Sequence, residues 1–356
     1  IYLSDEVEPT LTMPRETVVG GVPETPEDDD RDLRPQTMRD MVGQREVRER
    51  LGIAVDAAQK RGEPLGHILF DGPPGLGKTT FAHCLPTEMG ATKQMANGAG
   101  LSAPKDLLPY LTNLSEGSIL FIDEVHRIPR SVEEYLYTAM EDFRIDIVLG
   151  DGVNARTLNM PLKRFTLIGA TTRAGMLSAP LRDRFQIREH LGFYDVTDLT
   201  EIARRNAKKL KVRLDDDAAK MIASRCRGTP RVANNLLRWL RDYADSRANG
   251  HISTEVANAA LKMAGVDELG LGSHERQYLE TLMRVFSGGP AGIEAVAHTM
   301  NVAVDTLTDD VEPFLLRSEL LVRTPRGRMA TAKAYHHLKK TPPKSTTDGD
   351  QSQLFD

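Results

Sequence analysis

The sequence has few of the features that mark membrane proteins, disulfide-rich proteins or strongly basic DNA-binding proteins. Its 356 residues include only two cysteines, Cys84 and Cys226, whose spacing fits neither a zinc site nor a disulfide framework. No apolar run reaches the roughly 18 residues that span a bilayer, and no charged-then-apolar signal segment opens the sequence. The formal net charge is only -5, so contact with DNA requires a local basic patch. We therefore expect a cytoplasmic protein with packed thiols and no membrane contact.

A phosphate-binding loop is present at residues 72–79. The segment reads GPPGLGKT, which fills every fixed position of the pattern G-x-x-x-x-G-K-[ST]. A short apolar strand at 67–70 precedes it and a helix start follows, so backbone N–H groups and a helix dipole face the anion. Lys78 is expected to reach the β- and γ-phosphates, and the Thr79 hydroxyl to ligate Mg²⁺. The alternative is a simple glycine turn before a helix.

Two acidic residues follow the apolar run at 119–122. A continuous apolar run of this length is typical of a buried parallel strand. Ligands of open α/β sheets bind at the carboxyl ends of the strands. Asp123 is therefore predicted to hold Mg²⁺, and Glu124 to polarise the attacking water as a general base. The alternative is an acidic strand end that meets a helix N-terminus. A phosphate loop alone indicates nucleotide binding, whereas Glu124 favours hydrolysis.

Three further residues are candidates for catalysis. Two threonines, Thr171 and Thr172, follow the predicted strand at 166–170. We favour the Thr172 hydroxyl for a hydrogen bond to the γ-phosphate and the attacking water. Arg184 is a candidate arginine finger for a neighbour's ATP, a role worth roughly 10³–10⁵ in rate. Arg231 begins a helix and is placed to lean onto the phosphates, coupling lid motion to hydrolysis. The alternatives are a turn-capping hydroxyl and a salt-bridged surface arginine.

The order of predicted elements indicates an α/β protein with several domains. Strands and helices alternate in the first half, which indicates a parallel sheet; helical periodicity follows, and then helices with a terminal hairpin that fit a winged helix. Residues 268–272 read as a hinge-like linker. The predicted divisions are a disordered acidic tail at 1–32, a large ATPase domain at 33–193 with an inserted β-hairpin at 144–160, an all-helical lid at 194–267, a winged-helix domain at 268–340 and a disordered tail at 341–356.

A concentrated basic segment lies near the end of the chain. Residues 321–340 contain no acid and six basic side chains, namely Arg323, Arg326, Arg328, Lys333, Lys339 and Lys340. Contact with DNA phosphates is the physical use of such a patch. The alternative is a solvated basic tail.

Together these motifs resemble those of the AAA+ ATPases, and more specifically those of the RuvB family of bacterial Holliday junction branch-migration motors. The resemblance covers about residues 33–340. It rests on GPPGLGKTT at 72–80, FIDEVHR at 121–127, AMEDF at 139–143, GATTRAG at 169–175, LRDRF at 181–185, RGTPR at 227–231 and RTPRGRMAT at 323–331. The first of these are shared with other AAA+ proteins, whereas the last two and the inserted hairpin are more specific. The resemblance implies a P-loop parallel-sheet domain, a helical lid and a C-terminal winged helix.

The resemblance also implies a fuller nucleotide site. Leu33 and Arg34 would line the adenine pocket with Tyr194, for which a core position at the lid hinge is the alternative. The segment 141–143 is expected near the nucleotide at a subunit boundary. The implied nucleotide contacts are Leu33, Arg34, Gly75, Gly77, Lys78, Thr79, Thr80, Glu141, Asp142, Phe143, Arg184, Tyr194 and Arg231.

The family's partners and cofactors are implied in the same way. The hairpin 144–160 matches the element that docks on RuvA, the junction-binding partner, and RuvC is the nuclease of the full assembly. Arg323 and Arg328 match DNA contacts of the wing. The family acts as homohexameric rings around duplex DNA, with ATP and Mg²⁺, in recombination and repair. Two places differ from the family pattern: Gln186, where the family has glycine, and the segment 96–106. Neither place includes a predicted catalytic residue.

Two rival functions share part of this pattern. A clamp-loader-like or initiator switch, which hydrolyses ATP only to reset, has the loop and the finger but gives no reason for the hairpin and the basic wing together. A P-loop kinase is disfavoured by the acid pair and by a helical lid that carries Arg231.

The chain ends in a segment that resembles a short docking peptide. Residues 351–355 follow the spacing Gln-x-x-Leu-Phe, by which bacterial proteins dock on the replication sliding clamp. Leu354 and Phe355 are large apolar side chains in an otherwise polar tail. The alternative is an unused tail.

Overall fold

The computed structural model describes residues 31–149 and 156–342. Contacts divide the chain into an N-terminal unit that ends at Arg34 and a main unit that begins at Pro35. In the first unit, Arg31–Leu33 forms a 3₁₀ turn. Residues 1–30 and 343–356, which make up most of the tails predicted at 1–32 and 341–356 and include the docking-like peptide, lie outside the described residues.

A five-stranded parallel sheet forms the centre of the first domain. Its strands are β1 (Ile68–Asp71), β2 (Lys93–Asn97), β3 (Ser118–Asp123), β6 (Phe165–Thr171) and β7 (Ile187–His190), between which β4 (Arg144–Leu149) and β5 (Arg156–Pro161) form a separate hairpin. The sheet order is β2-β3-β6-β1-β7. The strands predicted at 67–70, 119–122 and 166–170 are confirmed as β1, β3 and β6. The edge strand β7 was not predicted, because its Arg, Glu and His residues hide it from an apolar-run criterion.

Five helices cover the sheet, and two apolar clusters lie on its faces. The helices are α1 (Arg45–Arg61), α2 (Lys78–Met89), α3 (Pro104–Thr112), α4 (Arg130–Glu141) and α5 (Ala179–Asp183). Strands β1, β3 and β6 are buried on both sides, as their continuous apolar runs require.

Cys84 and Cys226 are buried free thiols, and burial raises the pKa of Cys226 to about 11.

The predicted insertion at 144–160 is an antiparallel hairpin. Strand β4 pairs with β5 from Arg144, opposite Pro161, to Leu149, opposite Arg156. Ile145 is fully buried, and the Leu162 N–H donates to the Phe143 carbonyl at 2.7 Å, so the base of the hairpin is fixed to the domain. Residues 150–155 of the predicted hairpin lie outside the described residues.

The lid is a helical bundle with one small addition. Its helices are α6 (Val196–Lys209), α7 (Asp216–Arg225), α8 (Pro230–Arg247) and α9 (Thr254–Met263). The prediction of an all-helical lid misses two short parallel strands, β8 (Arg213–Leu214) and β9 (His251–Ile252). Two residues per strand are too few to show a period-2 pattern. Helix α8 begins with proline, whose fixed φ suits a first helical position.

The last domain has helices followed by a wing, as predicted. Its elements are α10 (Ser273–Val285), α11 (Ile293–Met300), α12 (Val304–Thr306), a π-helical turn (Leu307–Val311), α13 (Glu312–Arg317), β10 (Leu321–Thr324), β11 (Gly327–Ala330) and α14 (Ala332–His337). In residues 31–149 and 156–342, no helix has both the length and the apolar character needed to cross a membrane.

Residues 268–272, predicted as a hinge-like linker, are packed against the winged-helix domain and the lid. The Asp267 carboxylate accepts hydrogen bonds from the backbone N–H groups of Leu269 and Leu271, at 3.0 and 2.9 Å. Leu271 is fully buried in the winged-helix core. Arg227 of the lid donates to the Gly270 carbonyl at 2.8 Å and to the Glu275 carboxylate of α10. These contacts join the two domains across the linker.

Candidate active site

The phosphate loop has the backbone geometry that its glycines permit. Gly72, Gly75 and Gly77 have φ values of +134°, +77° and +103°, which side chains rarely adopt. A Cβ on Gly72 would lie 2.5 Å from the Leu191 carbonyl oxygen, so only glycine fits there. Helix α2 begins at Lys78 and places Thr79 and Thr80 in its first turn. The loop therefore presents a helix N-terminus to an anion.

Lys78 is buried beneath this loop. Its ammonium donates hydrogen bonds to the Gly72 and Pro73 carbonyl oxygens at 2.7 and 2.8 Å. Burial lowers the pKa of Lys78 to about 8, and the negative charge of Asp123 opposes that shift. Lys78 thus titrates close to physiological pH in the free protein.

This pKa predicts a pH-dependent affinity for ATP. Phosphates stabilise the charged form of Lys78, so binding requires a proton once the pH exceeds about 8. The affinity should then fall by up to about tenfold per pH unit. Fluorescent ATP titrated at pH 7, 8 and 9 measures this, with Lys78→Arg as the control because its guanidinium stays charged. An equal pH slope in both proteins would assign the dependence to another group.

Asp123 and Thr79, the two residues predicted to hold Mg²⁺, are in direct contact. The Thr79 hydroxyl donates to Asp123 Oδ2 at 3.2 Å. One hydroxyl and one carboxylate beside a phosphate loop suit Mg²⁺, which uses few protein ligands and completes its shell with phosphates and water. Among the described residues, no group of three or more His, Cys, Asp or Glu could hold a metal alone. The residues present thus fit a nucleotide-bound ion.

Glu124 lies at the carboxyl end of β3 in a left-handed conformation, with φ of +49°. A Cβ on Gly98 would come within 2.4 Å of the Glu124 carbonyl oxygen, so this backbone needs glycine as its neighbour. The Glu124 carboxylate is 38% exposed and accepts a hydrogen bond from Arg127 at 3.0 Å. It is therefore accessible at the edge where the phosphates would bind.

The end of β6 places two threonines beside these acids. The Thr171 hydroxyl contacts His126 Nδ1 at 3.0 Å and accepts the Arg173 N–H at 3.0 Å. Thr171 is therefore occupied by protein contacts, and Thr172 follows it, half-buried, at the strand end. This placement keeps Thr172 as the candidate for the γ-phosphate contact.

Arg173 joins this strand end to the winged-helix domain, a contact that the sequence analysis missed. Its guanidinium donates to Asp305 at 3.1 Å and also to Asp309. The hydrogen bonds that Arg173 donates to Asp309 and Asp305 raise its pKa. The acidic pair lies more than 130 residues away, so no local pattern indicates it. An arginine directly after the strand-end threonines is the one available signal.

Arg231 and Tyr194 bring the lid onto the phosphate loop. The Arg231 N–H donates to the Gly75 carbonyl at 3.4 Å, and a Cβ on Gly75 would lie 2.9 Å from Arg231 Cβ. The Tyr194 hydroxyl donates to the Leu76 carbonyl at 3.3 Å, and its ring packs against the cores of both domains. Tyr194 thus occupies the lid hinge beside the loop, and its adenine contact stays a prediction.

The predicted boundary residues form a second cluster. Arg184 donates to Glu141 Oε2 and to the Pro180 carbonyl, both at 2.8 Å. Its guanidinium lies 4.4 Å from the centre of the Tyr137 ring. Together with Phe143, Arg184 and Glu141 line a cavity of about 550 Å³. Asp142 lies beside it and pairs with Arg144 at 3.4 Å.

This cluster and the phosphate loop lie at opposite ends of the parallel strands. The cavity is lined by residues that precede strands β1, β6 and β7, whereas the loop, the acids and Thr172 follow strands β1, β3 and β6. Strand β1, which lies between the cavity residues and the loop, has four residues and so spans roughly 13 Å. The Arg184 guanidinium is held beyond the amino end of the sheet by Glu141. Arg184 therefore cannot reach the phosphate loop of its own chain. Leu33 and Arg34 belong to the N-terminal unit, and their adenine contact stays a prediction.

The basic wing is less open than its sequence suggests. Arg323 and Arg328 are directly opposite each other on β10 and β11, and both pair with Glu312. Lys333 pairs with Glu319 at 3.2 Å, and Lys340 with Glu280 at 3.3 Å. The segment 321–340 itself contains no acid, but carboxylates from other segments of the same domain pair with four of its six basic side chains.

A phosphate loop directly after strand β1, an acid pair at the end of β3 and a helical lid define an ATPase of the AAA+ class. Residues 33–191 match the P-loop domain of the Holliday junction DNA helicase RuvB, residues 194–267 the RuvB AAA lid domain and residues 268–339 the RuvB C-terminal winged-helix domain. The chain belongs to the RuvB family.

Individual relatives agree with this assignment. The Holliday junction branch migration complex subunit RuvB of Rhodopirellula baltica is 69% identical over 89% of this chain and 86% of that protein. The corresponding protein of Myxococcus xanthus is 50% identical over 87% and 91%. The solved structure of the Thermotoga maritima RuvB branch migration motor superposes with a TM-score of 0.80 at 42% identity, covering 88% of this chain and 100% of that one.

Proposed function

We propose that this chain is the motor subunit of a homohexameric ring that hydrolyses ATP and pulls duplex DNA, driving Holliday junction branch migration with RuvA. The observation that carries the proposal is the separation of Arg184 from the phosphate loop. Because the two lie at opposite ends of the sheet, a complete site requires a second copy of the chain. A closed ring provides one such neighbour to every copy. The large domain at 33–193, the lid at 194–267 and the winged helix at 268–340 are the three parts of the proposed motor subunit.

Each residue of the shared site has a defined task in this proposal. Lys78 and the loop N–H groups bind the phosphates, while Thr79 and Asp123 hold Mg²⁺, which neutralises phosphate charge when bound. Glu124 accepts the proton of the attacking water, and Thr172 orients that water. Arg184 of a neighbour, carried beside Glu141, Asp142 and Phe143, stabilises the charge of the transition state. Arg231 contacts the phosphates and so couples movement of the lid to ATP hydrolysis.

The hairpin supports the assignment of RuvA as the docking partner. Leu158 on β5 is 50% exposed, although it lies directly opposite Ile147 on the paired strand. The hairpin is a two-stranded sheet separate from the central sheet, so this apolar side chain is available to contact another protein. In the proposed assembly RuvA binds this hairpin, and RuvC joins as the nuclease. A motor for chromosomal junctions would work in the bacterial cytoplasm.

The wing predicts a specific effect on DNA binding. Replacing Arg323 and Arg328 with alanine should weaken duplex binding for all sequences alike, because phosphate contacts carry no sequence information. Each lost contact should reduce the log–log salt slope by about 1. Binding of a labelled duplex between 50 and 200 mM salt measures the slope. Arg241→Ala in the lid is a matched control, and an unchanged slope in the wing variant would place the DNA path elsewhere.

ATP turnover with and without duplex DNA tests the proposal against a clamp-loader-like switch. A translocase should show sustained turnover that duplex DNA accelerates in every cycle. A switch should hydrolyse about one ATP per subunit for each loading event and then stop. Steady-state phosphate release over many turnovers distinguishes the two, and release limited to one turnover would contradict the motor function.

The peptide at 351–355 adds a separate hypothesis about a clamp partner. Leu354 and Phe355 would fill an apolar pocket on the clamp, and Gln351 would fix the orientation. A fluorescent 341–356 peptide titrated with the clamp tests the contact. Equal binding by a Leu354→Ala Phe355→Ala peptide, or no binding by either, would eliminate it.

A further inference from the structure

Glu312 is a carboxylate buried inside the DNA-binding domain. It is the first residue of α13, and its side chain is 0% exposed. Buried carboxylates are rare unless they are paired. Both oxygens of Glu312 are engaged: Oε1 accepts hydrogen bonds from the Tyr278 hydroxyl at 2.5 Å and from Arg328 Nε at 2.9 Å. Oε2 accepts from Arg323 Nε at 2.8 Å and from Arg323 Nη2.

The two arginines that share this carboxylate are cross-strand partners. Arg323 lies directly opposite Arg328 on the two strands of the wing, and like charges in this position repel. A single negative charge between them offsets that repulsion. Glu312 therefore allows two guanidiniums to occupy one face of a two-stranded wing, where they would otherwise separate.

The carboxylate is charged in this environment. Burial alone would raise the pKa of Glu312, but hydrogen bonds from Arg328, Tyr278 and Arg323 outweigh burial and hold the pKa below its ordinary value. Glu312 and the two arginines together carry one net positive charge. Arg323 is 47% exposed and Arg328 is 20% exposed, so Arg323 has the greater access to a ligand outside the domain.

The geometry of the contacts leaves room for a phosphate. A guanidinium has five N–H donors in a fixed plane, and Glu312 engages the Nε and Nη2 edge of each arginine. The Nη1 group lies on another edge of the same plane. A carboxylate that binds one edge fixes the direction of the others, which lowers the entropy lost when a phosphate binds.

We propose that Glu312 is a positioning residue for DNA, which holds Arg323 and Arg328 as a preformed pair that binds adjacent phosphates of the duplex backbone. This proposal rests on the proposed function, in which these arginines contact DNA. Two other roles make different predictions. A purely structural role affects stability without affecting the salt slope, and a charge-damping role makes DNA binding tighter when the carboxylate is removed.

Glu312→Gln is the informative substitution because it keeps the shape and removes the charge. The amide oxygen still accepts from Tyr278 and Arg328, but the amide NH₂ group faces Arg323, which donates and cannot accept. Arg323 is then released. Tyr278→Phe is the matched control, since it also removes a buried hydrogen bond to Glu312 but leaves the carboxylate with both arginines.

The experiment compares four full-length proteins: the unaltered chain, Glu312→Gln, Tyr278→Phe and the Arg323→Ala Arg328→Ala variant. Binding of a labelled duplex is measured from 50 to 200 mM salt, and thermal unfolding of each protein verifies that it is folded. We expect Glu312→Gln to bind on the order of three- to tenfold more weakly, with a salt slope lower by about 1. Tyr278→Phe should keep the slope of the unaltered chain.

Each other outcome has a separate meaning. Tighter binding and a steeper slope for Glu312→Gln would overturn positioning in favour of charge damping. An unchanged slope in folded Glu312→Gln, or an equal loss in Tyr278→Phe, would overturn it in favour of a structural role. If Glu312→Gln is unaltered while the double-alanine variant loses binding, the positioning role fails and the wing function stands. If the double-alanine variant itself binds normally, the wing function fails.

Discussion

Glu124→Gln is expected to bind ATP normally and to lose its turnover by about 10²–10⁴-fold, the usual contribution of a general base. Lys78, Thr79 and Asp123 remain to hold the nucleotide, whereas an amide cannot accept the proton of the attacking water. Steady-state phosphate release measures turnover, and titration of fluorescent ATP measures affinity. If Glu124 acts on the water, turnover must fall while the affinity for ATP stays unchanged.

Glu116→Gln is the matched control for this prediction. Glu116 precedes β3 and is exposed at the amino end of the strand, the end opposite Glu124. The same chemical change there should leave turnover intact. A loss of ATP affinity that equals the loss of turnover in Glu124→Gln would show that Glu124 binds nucleotide and does not act as the base.

Arg184→Ala should abolish hydrolysis in the assembled protein, by roughly 10³–10⁵-fold, while each subunit still binds ATP. The reason is geometric, because Arg184 and its own phosphate loop lie at opposite ends of the sheet, so in the proposed ring Arg184 acts at the site of a neighbour. Mixing Arg184→Ala with Lys78→Ala subunits should restore part of the activity. At some interfaces an intact loop then meets an intact arginine.

Arg182→Ala is the matched control, since Arg182 lies in the last turn of α5, two residues before Arg184, and is not among the predicted nucleotide contacts. It should turn over ATP normally. Mixed assemblies assayed over a range of subunit ratios should show a maximum near equal amounts. No recovery at any ratio would contradict an arginine that acts between subunits.

The sequence predicts the parts of the fold that depend on neighbouring residues. The phosphate loop, the acid pair after β3, the hairpin at 144–160 and the wing strands all follow from local patterns of apolar, glycine and charged residues. In each case a few consecutive side chains decide the conformation. The catalytic candidates at strand ends were identified for the same reason, since parallel strands align their carboxyl ends.

Pairs of distant residues were not predictable in this way. Arg173 meets Asp309 across 136 residues, and Glu312 lies between two arginines that the sequence presents as an unpaired basic patch. The pairing of Arg184 with Glu141 likewise depends on the packing of α4 against α5. Such contacts depend on tertiary packing, which periodicity does not encode. Strand β7 was missed because its burial is one-sided and its sequence is charged.

Dissociation of a synthetic four-way junction with a mobile centre tests the central claim most directly. The full-length protein is incubated with labelled junction, ATP and Mg²⁺, with and without RuvA, and the products are separated on a gel. The motor function predicts ATP-dependent conversion of the junction into two duplex products, faster with RuvA and absent for Glu124→Gln. ATP turnover without junction dissociation, with RuvA present and DNA bound, would contradict it.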